Sequence, residues 1–211
     1  MYSIQKPAQA EIEIKHSRFI CYLYPVQTEE EAKEYIQKHK KEEWKANHHC
    51  SAFILGDKQE IQRSNDDGEP AGTAGMPILE VLQKGELTNI VAIVVRYFGG
   101  IKLGKGGLIR AYCQATKEAL EQAIIVEKKW QKEVTLSYEY ALIDSLQYYL
   151  SQNQYVIVDT TYTTEVSTHL MIDVEEEENF CQSIEERFAS KIRLCWGEVQ
   201  EIEVPVSPPL L

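Results

Sequence analysis

Between Arg96 and Arg110 the chain reads Arg-Tyr-Phe-Gly-Gly-Ile-Lys-Leu-Gly-Lys-Gly-Gly-Leu-Ile-Arg, with five of its eleven glycines inside nine residues. The stretch follows the aliphatic run Ile90 to Val95, so it reads as a strand passing through a glycine loop into a helix. Glycine is used where a backbone must take positive φ or approach something closely. Four cations, Arg96, Lys102, Lys105 and Arg110, share the stretch with no carboxylate. Free amides at a helix entrance among positive side chains suit an anion such as a phosphate. The candidate binding set is therefore Arg96, Gly99, Gly100, Lys102, Gly104, Lys105, Gly106, Gly107 and Arg110. The competing reading is that the glycines serve only close packing, and both stay open here.

Two nucleotide motifs can be set aside. Residues 99–106 approach G-x-x-x-x-G-K-[ST], but Gly106 stands where a hydroxyl would ligate magnesium. A dinucleotide fingerprint counted from Gly104 and Gly106 would need glycine at position 109, which is Ile109.

A second group lies in Asp66-Asp67-Gly68-Glu69-Pro70, with Thr73 just beyond. Aspartates in such turns commonly accept nearby backbone N–H groups, and that is the preferred reading. The alternatives are a hard-cation site or an acid/base pair. His48-His49-Cys50 reads as strand, so adjacent side chains point to opposite faces and the two histidines do not readily share one ion. One of them could pair with Asp66 or Asp67. Cys50 as a nucleophile would need a histidine brought from elsewhere, and inert filling is the simpler reading. No metal-ligand set and no cofactor motif is visible.

The elements that must position these groups can be read from periodicity. Glu11–Lys15 and Phe19–Val26 are expected strands, and Thr28 with Glu31 opens a helix whose buried face carries Ala32, Tyr35, Ile36 and His39. Strands are expected at 50–55 and 60–64, then a short helix bracketed by Pro77 at its first position and Gly85 just past its end. After the 90–95 strand and the loop comes a helix with Leu108, Tyr112, Ala115 and Ala119 on one face, ending in the cations of 127–132. Beyond it the order β-α-β-β-α-β is that of a ferredoxin-like split βαβ.

Up to Lys132 there are 19 Lys+Arg against 18 Asp+Glu; from Glu133 onward there are 3 against 15. That asymmetry places a domain boundary near 132, giving a neutral domain 1–132 and an acidic one 133–211. Five scattered cysteines without a Cys-x-x-Cys pair argue against a disulfide framework. No apolar run approaches a membrane span, and 1–10 has no signal core, so the expectation is a cytoplasmic protein with no membrane partner.

Residues 64–77, Ser-Asn-Asp-Asp-Gly-Glu-Pro-Ala-Gly-Thr-Ala-Gly-Met-Pro, and 94–104, Val-Val-Arg-Tyr-Phe-Gly-Gly-Ile-Lys-Leu-Gly, resemble the signature segments of the IMPACT family, also called YigZ or UPF0029. Ser17-Arg18-Phe19 and His48-His49-Cys50 add to the likeness, making Arg18, His48 and His49 accessory candidates. The resemblance covers about residues 15 to 125 and is to the bacterial two-domain type. It implies an α+β protein, with a ribosomal protein S5 domain 2-like N-terminal domain followed by a ferredoxin-like C-terminal one. Eukaryotic members of the family regulate translation; some bacterial ones have been labelled proline dipeptidases, although no ligand set of that class is present here. Lys105 departs from the small or hydroxylated residue more usual in the family.

The resulting expectation is a non-enzymatic, translation-associated module whose basic loop meets RNA, the ribosome or a translation-related protein. The alternative is a metal- or phosphate-dependent hydrolase using the 66–69 carboxylates. The second predicts that turn and loop meet in one cleft.

Overall fold

The computed structural model describes residues 1–206. It divides into two compact units: Met1–Glu127 together with residues 203–206, and Lys128–Ile202.

The first unit is built on an antiparallel five-stranded sheet. Strands β2 (Ala8–Ile14) and β3 (Ser17–Pro25) form a hairpin whose two turn residues, Lys15 and His16, both have positive φ (48° and 63°), matching the twist of the flanking strands. A short preceding strand, β1 (Tyr2–Ile4), pairs elsewhere. After helix α1 (Glu29–Glu42) come β4 (His48–Leu55), β5 (Ile61–Asn65), helix α2 (Gly75–Lys84), β6 (Ile90–Tyr97) and helix α3 (Gly104–Glu121). The sheet order is β2-β3-β6-β4-β5.

The aliphatic run is continuous because β6 is covered on both faces. Ile90, Ala92 and Val94 join Phe19, Cys50, Ile78, Leu82 and Tyr112 under α2 and α3. Val91, Ile93 and Val95 pack instead with Phe53, Val26 and Ala32 beneath α1. A strand sandwiched in this way loses the polar–apolar alternation of a one-sided sheet.

The α1 start is as expected: Thr28 accepts from the Glu31 amide at 3.2 Å, and Glu31 reaches back to the Gln27 amide at 2.7 Å. The brackets of α2 differ. Pro77 is the third residue of the helix, because the entrance is capped from a distance: the Asp66 carboxylate accepts from the amides of Ala74 (3.0 Å) and Gly75 (2.8 Å), starting the helix two residues earlier. Gly85 is not the left-handed residue; Glu86 is, with φ 50°. The bonds Glu86 N to Gln83 O and Leu87 N to Leu82 O close a Schellman turn, held by burial of both leucines.

Helix α3 ends at Glu121, and the cations of 127–132 lie in strand β7 (Ile125–Tyr138) rather than in a helical last turn. Residues 125–127 of β7 pair with β1, and Gln131 and Lys132 pair with Asp173 and Ile172 of β9, so ladders at both ends hold this stretch as strand. The second unit continues with helix α4 (Ile143–Gln152), β8 (Ile157–Tyr162), β9 (Val166–Asp173), helix α5 (Glu177–Phe188) and β10 (Arg193–Pro205). Its strand order is β10-β7-β9-β8, and its core joins Val134, Leu136 and Leu170 to Leu146, Phe180 and Ile184 from the two helices. Among the described residues no helix is long and apolar enough to cross a membrane.

Candidate functional site

The three carboxylates of the 66–69 turn have separate fates. Asp67 and Gly68 both take positive φ (42° and 88°), and the Glu69 amide closes the turn on Asp66 O at 2.9 Å. Asp66 accepts three amides, from Gly72, Ala74 and Gly75. Burial pushes its carboxyl up, but those three donors outweigh it and hold it below the usual aspartate range. Asp67 is similar: burial raises it, while Lys40 Nζ at 2.6 Å and the His49 amide at 2.7 Å bring it below its ordinary value. Both aspartates thus act as turn and cap acceptors. Thr73 closes the same loop, donating to Pro70 O at 2.6 Å.

Glu69 turns inward. Its Oε1 accepts from Arg96 Nη1 at 2.6 Å and from the Tyr112 hydroxyl at 2.8 Å, and its side chain is almost fully buried. Arg96 itself is only 5% exposed, and its guanidinium carbon lies 5.3 Å from the Phe19 ring centre and 5.5 Å from that of Phe98. This cation is therefore a neutralised group next to two aromatic rings at the base of the loop and not a free phosphate contact.

The two cations beyond it are different. Lys102 and Lys105 are exposed, and among the described residues neither has an ion-pair partner. Helix α3 opens at Leu103, which offers no side-chain cap, and no acidic residue sits in its first turn. The amides of Gly104, Lys105 and Gly106 consequently have no intrahelical acceptor, and the helix dipole adds partial positive charge there. Arg110 lies further along α3, exposed to solvent.

The glycines divide by purpose. A Cβ on Gly99 would lie 2.0 Å from the His16 carbonyl carbon, so this glycine permits close packing against the β2–β3 turn, where Ser17 Oγ also accepts its amide at 3.1 Å. Gly100 and Gly104 take φ of 84° and 72° with open space around them, which serves the path of the loop. Gly106 and Gly107 belong to the helix. Close packing thus accounts for Gly99, while the helix entrance stays open to an anion.

Turn and loop meet in one cleft of about 480 Å³, where His48, Glu69 and Pro70 face Arg96, Phe98, Lys102 and Lys105. His48 is fixed there by its Nδ1, 2.9 Å from Asp67 O; since a carbonyl only accepts, that nitrogen carries the proton. Its Nε2 is 3.9 Å from Glu69 Oε2. His49 points to the other face, with Nε2 3.2 Å from Glu43 O. Arg18 is also elsewhere, paired with Glu11 at 2.7 Å. Cys50 donates to Asp66 O at 3.0 Å, and burial pushes its thiol up to about 12, which leaves it protonated filling rather than a nucleophile. Among the described residues no three His, Cys, Asp or Glu side chains converge to hold a metal ion.

Four participants had no sequence signal of their own as site residues. Ser17 and Asn47 hold the loop, the latter accepting the Phe98 amide at 2.8 Å. Tyr112 reads as one more large residue on an apolar helix face, and Phe98 as part of a motif; only the hydroxyl on the first hinted at a buried polar partner.

The Impact N-terminal domain family model matches residues 15–120, and a domain of unknown function, DUF1949, matches 136–191. The chain is 40% identical over 206 residues to IMPACT family member YvyE of Bacillus subtilis (strain 168), covering 98% of this chain and 95% of that one. It is 40% identical over 152 residues to IMPACT family member YigZ of Escherichia coli (strain K12), covering 71% and 74%. A crystal structure of a hypothetical protein, 34% identical, aligns with a TM-score of 0.58 over 93% of this chain and 97% of that one. This chain belongs to the IMPACT family, with the family's two-domain α+β architecture.

Proposed function

We propose that this IMPACT-family chain is a non-enzymatic, translation-associated module that grips the phosphates of RNA in the cleft between the 66–70 turn and the 96–107 loop. The observation that carries the reading is the uncapped first turn of α3, flanked by the unpaired Lys102 and Lys105 and opening into that cleft. Phosphate held by helix amides and lysines is recognised by charge, so affinity should fall steeply as salt releases the advantage of displaced counterions. The acidic residues from Glu133 onward would repel a phosphate backbone, so contact is assigned to the first domain, with the functional division near residue 132. The βαββαβ order with strands β10-β7-β9-β8 supports reading the second unit as ferredoxin-like, and the first is read as S5 domain 2-like; the working compartment is read as the cytoplasm.

The test is binding of RNA and of ribosomes to the full chain across a salt series, for the wild type and for Lys102→Ala/Lys105→Ala. Strong low-salt binding that the double variant loses is expected. Binding indifferent to salt, or none at low salt, defeats the proposal.

A hydrolase is the second reading, favoured by the placement of His48 and Glu69 in the same cleft as the lysines. Glu69 is however engaged at Oε1 by Arg96 and Tyr112, and Asp66 and Asp67 accept amides, which ties the turn's carboxylates to structural donors and leaves Glu69 Oε2, 3.9 Å from His48 Nε2, as the group on which this reading would have to rest.

A further inference from the structure

The cleft offers two kinds of surface to one ligand. Its charged end is the first turn of α3 with Lys102 and Lys105. Beyond it the lining is mixed: Asn47, His48, Glu69 and Arg96 alternate with an apolar set of Pro70, Phe98, Leu103 and Leu108, and Phe98 is 44% exposed. A bare phosphate would leave those apolar walls uncovered, whereas an uncharged apolar ligand would leave the helix amides unused.

Arg96 supplies an independent indication. It lines the same cleft, is more than nine-tenths buried, and its Nε has no hydrogen-bond acceptor among the described residues. A buried guanidinium with an unmet donor is rare, and this one, paired with Glu69 through Nη1, also lies 5.3 Å from the Phe19 ring centre and 5.5 Å from that of Phe98. Phe98 is thereby supported from within by a cation while remaining accessible in the cleft. An exposed aromatic ring beside a basic groove is the usual platform on which an unpaired base stacks. A volume of about 480 Å³ is within the range of small-ligand sites and far from that needed for a double helix.

We infer that the cleft seats a single unpaired nucleotide, its base against Phe98 and its phosphate on the α3 first turn beside Lys102 and Lys105. This rests on the phosphate-gripping reading above and specifies the form of nucleic acid taken: a duplex, whose bases are stacked internally, cannot use Phe98. The same chemistry is available from a residue within a single strand or from a free nucleoside monophosphate.

The experiment compares a short oligoadenylate, a duplex of equal length, AMP and inorganic phosphate as ligands of the full chain, by titration at low salt. Wild type, Phe98→Ala, Phe98→Trp and Lys102→Ala/Lys105→Ala are tested, each with a melting curve to confirm folding. The single strand is expected to bind at least tenfold more tightly than the duplex. Phe98→Ala should weaken it about tenfold, while Phe98→Trp retains it. Equal binding of strand and duplex, with Phe98→Ala unchanged, overturns the nucleotide seat and leaves the phosphate reading standing. AMP binding that depends on Phe98, without binding of the strand, upholds the seat and removes the RNA reading. Binding of inorganic phosphate alone, or of nothing, overturns the seat.

Discussion

Arg96 Nη1 and Glu69 Oε1 lie 2.6 Å apart with both side chains almost wholly out of solvent, so the strand that feeds the glycine loop is tied to the turn that faces it. The Tyr112 hydroxyl bonds the same oxygen and brings α3 into the same junction. Three segments far apart in the chain are therefore held in register by one carboxylate.

Breaking that junction is expected to be severe. Removing one partner leaves a buried charge uncompensated, and such losses run to about 3 to 5 kcal/mol. Glu69→Ala and Arg96→Ala should each lower stability by that order in urea unfolding, and the double variant should lose far less than the sum, because the orphaned charge is gone. Additive losses would show that the two residues act separately.

The loop glycines should respond unequally. Gly99→Ala forces a methyl into the His16 backbone and is expected to lower the melting temperature markedly. Gly106→Ala meets only Arg110 Nη1 at 3.7 Å and should be neutral, or stabilising by up to about 1 kcal/mol through helix propensity. Parallel thermal melts decide this.

Acid should loosen the turn. Asp66 and Asp67 have folded-state values below the ordinary 3.8, so each contributes stability that is complete above that value. It is lost as pH falls through the lower folded values. Unfolding free energy measured against pH should therefore drop below about pH 4, and Asp66→Asn should show a shallower drop. At neutral pH Asp66→Ala, which removes the cap of α2, should cost about 1 to 2 kcal/mol.

Thiol labelling should discriminate between the cysteines. Burial pushes Cys21 and Cys50 up to about 12, whereas Cys195 is exposed. Alkylation of the folded protein followed by peptide mass analysis should mark Cys195 rapidly and leave the other two until unfolding. Early modification of Cys50 would contradict the closed packing around Tyr112.

Much of this was readable in one dimension because the signals were local. The capping pair Thr28 and Glu31, the doubly apolar β6 and the Leu108, Tyr112, Ala115 stripe each declare themselves within a turn or a strand. The failures share the opposite property. The cap of α2 comes from Asp66, upstream of the helix; the strand at 127–132 is paired by β1 at Glu127 and by β9 at Gln131 and Lys132; and the burial of Arg96 depends on a glutamate 27 residues earlier. In each case the deciding partner is brought by tertiary pairing, which composition and periodicity do not encode. The cleft was likewise foreseeable only as a condition, that turn and loop should meet, since the β4–β6 pairing which sets His48 opposite Arg96 is invisible in sequence.

The contact between Gly99 and the carbonyl of His16 implies an uneven freedom to evolve. At the hairpin tip the side chains are exposed and can be exchanged for others that tolerate positive φ, but the main-chain trace there serves as a wall for a loop encoded some eighty positions later. Lengthening that tip by a residue would shift the wall, and the first place to register the change would be the entrance of α3.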